Sequence, residues 1–332
     1  MNKLSEILAP AGRKEQLIAA VRSGADAVYF GAKSFNARRN AQNFDSLSDT
    51  VRYCHERGVA AHITVNTLFC DDEKDELISL AREIAAAAAD AVIVQDLGAA
   101  KIFKQCVPGL PLHASTQLAV HDTSGVKQLE QMGFSRVVLS RELSLEEIEN
   151  IAKNTSIETE VFIHGALCMS VSGCCYLSSM LGGRSGNRGL CAQPCRLDFK
   201  SGDRHFALSL KDMCHIEHIK ELEKAGVCSF KIEGRMKRPE YVAAAVNACI
   251  AARNGQKPDL ETLRKVFSRS GFTEGYLLGK RDLDMFGHRT KDDVVSADSV
   301  FSKLSTLYKN EYKRIPLCAK LFAKENEPCS LI

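Results

Sequence analysis

Short apolar, β-branched runs alternating with helical patterns predict an α/β protein built as a (β/α)8 barrel. Three observations carry the prediction. Eight such runs occur in order along the chain. Most are spaced by about 20 to 35 residues, the length of a strand–helix unit. The gaps hold helices with apolar periodicity and end signals. Alternation of this kind makes a parallel sheet, for which an open doubly wound sheet is the alternative to a closed barrel.

The strand candidates are Ile7-Leu8-Ala9, Ala27-Val28-Tyr29-Phe30, Ala61-His62-Ile63-Thr64-Val65 and Ala91-Val92-Ile93-Val94, then Leu112-His113-Ala114-Ser115, Val137-Val138-Leu139-Ser140, Val161-Phe162-Ile163 and Phe230-Lys231-Ile232. Between the first two, residues 13–23 repeat apolar side chains at helical spacing and stop at Gly24. The alanine run Ile84 to Ala89 belongs to a helix before the fourth strand. Ser144, followed by Glu146 and Glu147, is an N-cap with acidic residues in the first turn. Ala207-Leu208-Ser209-Leu210 also reads as a strand, followed by a helix from about Asp212 to Ala225, which makes a ninth candidate and leaves the register of the last third open. The barrel is expected over residues 1–255. Residues 256–332, with a helix at Leu260–Arg269, an aromatic-glycine stretch and a polar tail, form a short appendage.

Composition narrows the function classes. The 332 residues are 45% hydrophobic and 26% charged, which suits a globular chain with a sizeable core. A net charge of +3 is too small to argue for nucleic acid by itself. No run approaches the roughly 18 apolar residues of a membrane span, and the first residues carry no signal-peptide stretch. A cytoplasmic, membrane-free protein is expected. The ending Cys329-Ser330-Leu331-Ile332 has the form of a prenylation box, but without a polybasic run upstream it is read as coincidence.

The spacing breaks once. From Ile163 to Phe230 is 67 residues, and the excess holds a glycine-rich, basic insertion at 165–206 with Cys168, Cys174, Cys175, Cys191 and Cys195. Loops that follow barrel strands build the catalytic face, so the insertion belongs there. The spacings C-x6-C and C-x3-C match neither a zinc ribbon nor a thioredoxin motif. In a reducing compartment such clustered thiols hold an iron–sulfur cluster or zinc, or react as free thiols. Cys54, Cys70, Cys106, Cys228 and Cys249 lie among apolar residues and are expected in the core. Polar residues close the other strands: Asn66, Gln95, Asp96, Gln117, Arg141, Glu142, His164, Glu233 and Arg235. Arg184, Arg188 and Arg196 flank the cysteines and fit a phosphate-bearing substrate, while Arg188 and Arg235 equally suit the carboxylates of a small acid. A cysteine peptidase would need a thiolate–imidazole pair. His164 stands four residues before Cys168, yet no single Cys–His couple is singled out, and no H-E-x-x-H motif is present.

The run Glu160-Val161-Phe162-Ile163-His164-Gly165-Ala166-Leu167-Cys168, continuing through Gly173, Cys175, Leu177 and Ser178, resembles the signature of the bacterial collagenase-like peptidases, a peptidase family U. Leu8-Ala9-Pro10-Ala11-Gly12, Ala25 to Gly31 and Phe230 to Lys237 resemble it too, over about residues 5 to 290. The resemblance implies a [4Fe-4S] protein, because several members are oxygen-independent hydroxylases. Their substrates are tRNA or ribosomal RNA pyrimidines, with prephenate as oxygen source, or the ubiquinone ring. Leu210-Lys211-Asp212-Met213-Cys214 and Gly189 to Arg196 look most like the ribosomal RNA cytidine hydroxylase branch. Cys168, Cys175 and Cys191 match the cluster ligands. The fourth is Cys195 in members with the C-x3-C pair and Cys214 in members lacking it; this chain has both, and Cys195 is preferred. His164 is expected to move a proton, Arg235 to hold a carboxylate, and Glu233 to orient Arg235 or act as a base. RNA-modifying members are longer, so a missing C-terminal RNA-binding part is expected. Peptidase and quinone-ring hydroxylase are the alternatives.

Overall fold

The computed structural model describes residues 4–312, 321–322 and 330–331. Eight parallel strands form a closed ring: β1 (Glu6–Pro10), β2 (Ala27–Gly31), β3 (Ala60–Val65), β4 (Ala91–Val94), β5 (Leu112–Ala114), β6 (Arg136–Val138), β7 (Glu158–Ala166) and, after one strand outside the ring, β9 (Ser229–Ile232). Closure is made by β9, which pairs with β7 on one side and β1 on the other. The predicted (β/α)8 barrel is the observed fold.

Helices follow the strands: α1 (Lys14–Arg22), α2 (Leu47–His55), α3 (Lys74–Ala86), α4 (Leu97–Cys106), α5 (Thr123–Gln131), α6 (Leu145–Lys153), then α7 (Leu177–Gly182) within the insertion, α8 (Ile219–Lys224) and α9 (Pro239–Arg253). Their starts are written in the sequence. Ser46, Asp96 and Asp122 accept from backbone N–H groups of Asp49, Ala99 and Gly125, and Ser144 with Glu147 completes a capping box. Each such cap contributes about 1 kcal/mol. No helix among the described residues is long and apolar enough to cross a membrane.

The period of two along each strand sends alternate side chains to opposite faces. Ile7, Val28, Ile63, Val92, Val137 and Phe230 pack outward in the main core beneath the helices. The inner face departs from the aliphatic layers usual in such barrels. Arg136 reaches Glu6 at 2.6 Å, Glu158 at 2.6 Å and Glu160 at 3.1 Å, and Lys231 Nζ donates to Glu160 at 2.8 Å. Ser229 donates to Glu6 and Glu160. A buried ionic network thus fills one end of the barrel.

The ninth strand candidate resolves differently from the expectation. Residues 207–208 form a turn and Leu210 makes an isolated bridge to Phe286, and the extra strand is β8 (Asp212–Cys214), where a helix was expected. It runs antiparallel along the end of β7, with Cys214 opposite His164 and Asp212 opposite Ala166, and Arg269 holds the buried Asp212 carboxylate at 2.6 Å. Those pairings outweigh local helical periodicity; α8 starts only at Ile219. Beyond residue 255, α10 (Leu260–Val266) and α11 (Lys291–Ser305) pack on α9, and β10 (Phe272–Thr273) adds to β8. Met285 joins Leu167, Leu210 and Met213 in a small apolar cluster under the insertion. Cys329 and Ile332 of the terminal box lie outside the described residues.

Candidate active site

A cavity of about 340 Å³ opens between the C-terminal strand ends and the cysteine-rich insertion. Cys168, Cys175, Cys191 and Cys195 all line it, brought together by a tightly turned backbone. Ser172 is held in a left-handed conformation (φ 44°) by Glu142, whose carboxylate accepts from the Ser172 N–H at 2.8 Å and hydroxyl at 2.9 Å. Gln193, also left-handed (φ 56°), aims its N–H at Cys191 Sγ, 3.3 Å away. Leu177 N–H points at Cys175 Sγ at 3.4 Å. Burial pushes the Cys195 thiol up, Arg196 opposes this, and the nearby Cys168, Cys191 and Cys175 add to it. Four thiols, two of them with backbone amides aimed at sulfur, are a donor set that fits an iron–sulfur cluster. Among the described residues no three His, Cys, Asp or Glu side chains are grouped as ligands of a single ion.

Cys214 is not part of this set. It is buried in the main core, where burial pushes its thiol up to about 12. Of the five cysteines expected in the core, Cys54 and Cys249 are buried and Cys228 is half-buried, whereas Cys70 and Cys106 are exposed. Cys106 ends α4, and Cys70 precedes α3, so both fall at helix termini, where apolar neighbours in sequence do not imply burial.

His164 is not in the cavity. It is fully buried between Tyr241 and Phe272, with ring centroids 5.6 and 5.1 Å away, and among the described residues neither ring nitrogen has a side-chain hydrogen-bond partner. Burial lowers its pKa to about 4, so it stays neutral near pH 7 and is a packing residue rather than the expected proton carrier. Glu233 and Arg235 do line the cavity. Glu233 pairs with Arg38 at 3.1 Å rather than with Arg235. Burial raises its pKa, but Arg38, Arg141 and Arg235 outweigh that and hold it at about 2, so it stays ionised near neutral pH and is a weak base. Arg235 is buried, donates to Thr64 Oγ1 at 2.9 Å and packs over Tyr29.

The glycines of two sequence motifs make room for Arg235. A Cβ on Gly12 would lie 1.9 Å from the Arg235 carbonyl oxygen, and one on Gly31 would lie 2.8 Å from its Nη1. Gln16 ties the same parts together, accepting from Gly12 N–H at 2.7 Å and donating to Lys237 O. Gly12→Ala is therefore expected to displace the Arg235 loop and destabilise the barrel by about 1–3 kcal/mol, the cost of overpacking, measured by thermal melting.

The three expected substrate arginines part company. Arg188 is bound to Glu73 at 2.8 Å and to Leu68 O at 3.0 Å, which fastens the insertion to the loop after β3. Arg196 donates to Leu210 O at 2.6 Å, Ser209 Oγ at 3.0 Å and Leu167 O, so it clamps backbone. Both guanidiniums are engaged by the fold, and of the two only Arg196 also lines the cavity. Arg184 alone is exposed, outside the cavity, with no ion pair among the described residues.

Other cations take the place assigned to them. Arg38, Arg141, Lys231, Lys237 and Arg269 line the cavity with Arg196 and Arg235, against Glu233 as the one carboxylate of the lining. Arg141 closes β6 and stacks over Phe162 at 4.4 Å, a strand-end position legible in the sequence. Arg38 and Arg269 sit on loops distant in sequence from the insertion and gave no local signal. Lys237 is largely buried against Phe267; burial and Arg269 lower its pKa to about 7, with Asp212 opposing. It is protonated below about pH 7 and loses its charge above, so affinity for an anionic ligand is expected to fall as pH rises through that value. A titration in which Lys237→Met leaves the pH dependence unchanged would count against this.

A closed barrel whose strand ends carry a cysteine-lined cavity is the architecture of a barrel enzyme. The sequence profile of peptidase family U32 matches residues 12–286, and the chain belongs to that family. Its relatives include the 23S rRNA 5-hydroxycytidine C2501 synthase of Escherichia coli, 40% identical over 314 residues, covering 89% of this chain and 47% of that protein. The tRNA hydroxylation protein P1 of Bacillus subtilis is 32% identical, covering 98% and 83%. A collagenase of Porphyromonas gingivalis is 36% identical, covering 86% and 76%. The chain thus spans about half the length of the first of these. A solved U32 peptidase aligns over 70% of this chain and 94% of its own with a TM-score of 0.52 at 14% identity, a likeness of fold.

Proposed function

We propose that this chain is the barrel of an oxygen-independent RNA hydroxylase that acts on a pyrimidine of tRNA or ribosomal RNA, with a [4Fe-4S] cluster and prephenate as co-substrate. The carrying observation is that four thiols and seven cationic side chains face one cavity at the catalytic end of the barrel. Relatives named as rRNA and tRNA hydroxylation proteins favour RNA over the other substrates.

Cys168, Cys175, Cys191 and Cys195 would hold the cluster, which when bound supplies redox and Lewis-acid chemistry at the cavity wall. The remaining roles belong to the chain's own groups. Arg235, steadied by Thr64 and Tyr29, presents a guanidinium suited to a carboxylate. Glu233 keeps Arg38 in place across the cavity. Lys237, near its titration point at neutral pH, is the group able to give or take a proton, in place of His164. Among the described residues no cysteine is hydrogen-bonded to a histidine, so the thiolate–imidazole couple of a peptidase has no support in the geometry.

The glycine-rich insertion has few apolar anchors of its own, so ligation offsets much of its ordering entropy. Chelated protein is expected to be cut first within residues 165–205 under limited proteolysis, with the barrel surviving; first cuts elsewhere would contradict this. The reaction is tested by mass spectrometry of RNA nucleosides from cells with and without the gene. Loss of a pyrimidine nucleoside one oxygen heavier than its parent supports the proposal. Unchanged RNA with cysteine-dependent cleavage of protein would favour the peptidase, and accumulation of a quinone precursor would favour the quinone-ring substrate.

A further inference from the structure

We infer that the cysteine-rich insertion is a stacking platform for an unpaired RNA strand, centred on Tyr176, from which one base is passed into the cavity. The inference rests on the RNA reading above and adds the form in which the RNA must be presented.

Of 17 exposed large hydrophobic residues among the described residues, six lie between positions 169 and 197: Met169, Val171, Tyr176, Met180, Leu181 and Leu197. Tyr176 is 66% exposed and Met180 80%. Most are neighbours in sequence of cavity-lining residues: Met169 follows Cys168, Val171 precedes Ser172, Tyr176 lies between Cys175 and Leu177, and Leu197 follows Arg196. Met236, 54% exposed, lines the cavity itself. The apolar groups are thus exposed on the segment that walls the cavity. Exposed apolar surface concentrated in this way marks an interaction site.

Charge identifies the occupant. Of the seven cations lining the cavity, Arg38, Lys231 and Arg269 are paired with Glu233, Glu160 and Asp212, which leaves Arg141, Arg196, Arg235 and Lys237 without a carboxylate partner among the described residues, and a bound cluster with its thiolates offsets only part of that. The same insertion exposes Arg184 and Lys200 alongside Asp198 and Asp203, so the positive excess lies in the cavity rather than on the insertion's surface. A protein partner covering the exposed apolar groups has no need of that excess, whereas a single strand offers both stacking faces and phosphates. A duplex offers its phosphates but hides its base faces, and a base inside a helix cannot reach groups recessed in a barrel mouth. The target base has to leave the stack, and an aromatic ring on the segment that walls the cavity stabilises it once it does.

The test is fluorescence anisotropy with the anaerobically purified full chain, a labelled single-stranded oligocytidine and the same strand in a duplex. The single strand is expected to bind at least about tenfold more tightly than the duplex. Tyr176→Ala is expected to weaken single-strand binding by roughly fivefold or more, the worth of one stacked base, and Tyr176→Phe to restore it. Both substitutions are at an exposed position, so folding is checked by an unchanged melting temperature. Equal affinity for duplex and single strand, or wild-type affinity in Tyr176→Ala, would overturn the inference. In that case, if the oxidised nucleoside still depended on the gene, the RNA reading would stand. No RNA binding together with unchanged nucleosides would sink both, and a protein would then be the occupant of the apolar surface.

Discussion

Cys195→Ser is expected to lose most of its iron on anaerobic purification, while Cys214→Ser keeps it. The two cysteines are alternatives in sequence but not in space. Cys195 lines the cavity beside Cys168, Cys175 and Cys191 and shares their electrostatic surroundings. Cys214 lies on β8 opposite His164, buried in the main core, with its thiol pushed up to about 12 by burial. A thiol so placed is neutral and packs as a small hydrophobe. Cys214→Ser should therefore cost about 1–3 kcal/mol for burying a hydroxyl, without altering iron content. Iron analysis and the visible spectrum of the two variants decide it; iron lost from Cys214→Ser and kept by Cys195→Ser would reverse the assignment.

Arg136→Ala is expected to destabilise the barrel by about 3–5 kcal/mol, the cost of breaking a buried ionic network from one side. Among the described residues Arg136 alone contacts Glu6, Glu158 and Glu160 together, and without it Glu160 keeps Lys231 and Ser229 as its hydrogen-bond partners there. The same network sets an acid limit. Burial raises the Glu160 pKa, but Lys231 and Arg136 outweigh it and hold the carboxylate at about 2, below the roughly 4.3 of an unfolded glutamate. Its stabilisation is complete above the unfolded value and is lost as pH falls from there towards 2. Melting temperatures should drop through that window in the wild type and less so in Arg136→Ala. A variant that melts within a degree or so of wild type at neutral pH would show the network to be dispensable.

The barrel was legible because its outer strand faces and helix caps are local signals: Val28, Ile63 and Val92 read as strand, and Ser144 with Glu147 as a helix start. The cysteine insertion was legible as a break in spacing. Much of the rest depends on long-range pairing. Asp212 to Cys214 have helical neighbours but are drawn into a strand by the end of β7 and by Arg269. Arg188 and Arg196 looked like ligand-binding cations, yet Glu73 and the carbonyls of Leu167 and Leu210 occupy them, partners between 14 and 115 residues away. His164 failed for a related reason. A strand-end histidine beside a cysteine motif suggests chemistry, but the bulge between Phe162 and His164 shifts the register of β7, and the ring packs between Tyr241 and Phe272. The inward-facing Glu6, Arg136, Glu160 and Lys231 were present as polar residues at alternate strand positions, a pattern that becomes a network only when the ring closes.

The central claim is that the cavity holds an iron–sulfur cluster on four cysteines. Iron, acid-labile sulfide and zinc analysis of anaerobically purified wild-type protein tests it most directly. About four irons and four sulfides per chain, as a cubane requires, together with their loss in Cys191→Ser, is the predicted result. Stoichiometric zinc with no sulfide would contradict it.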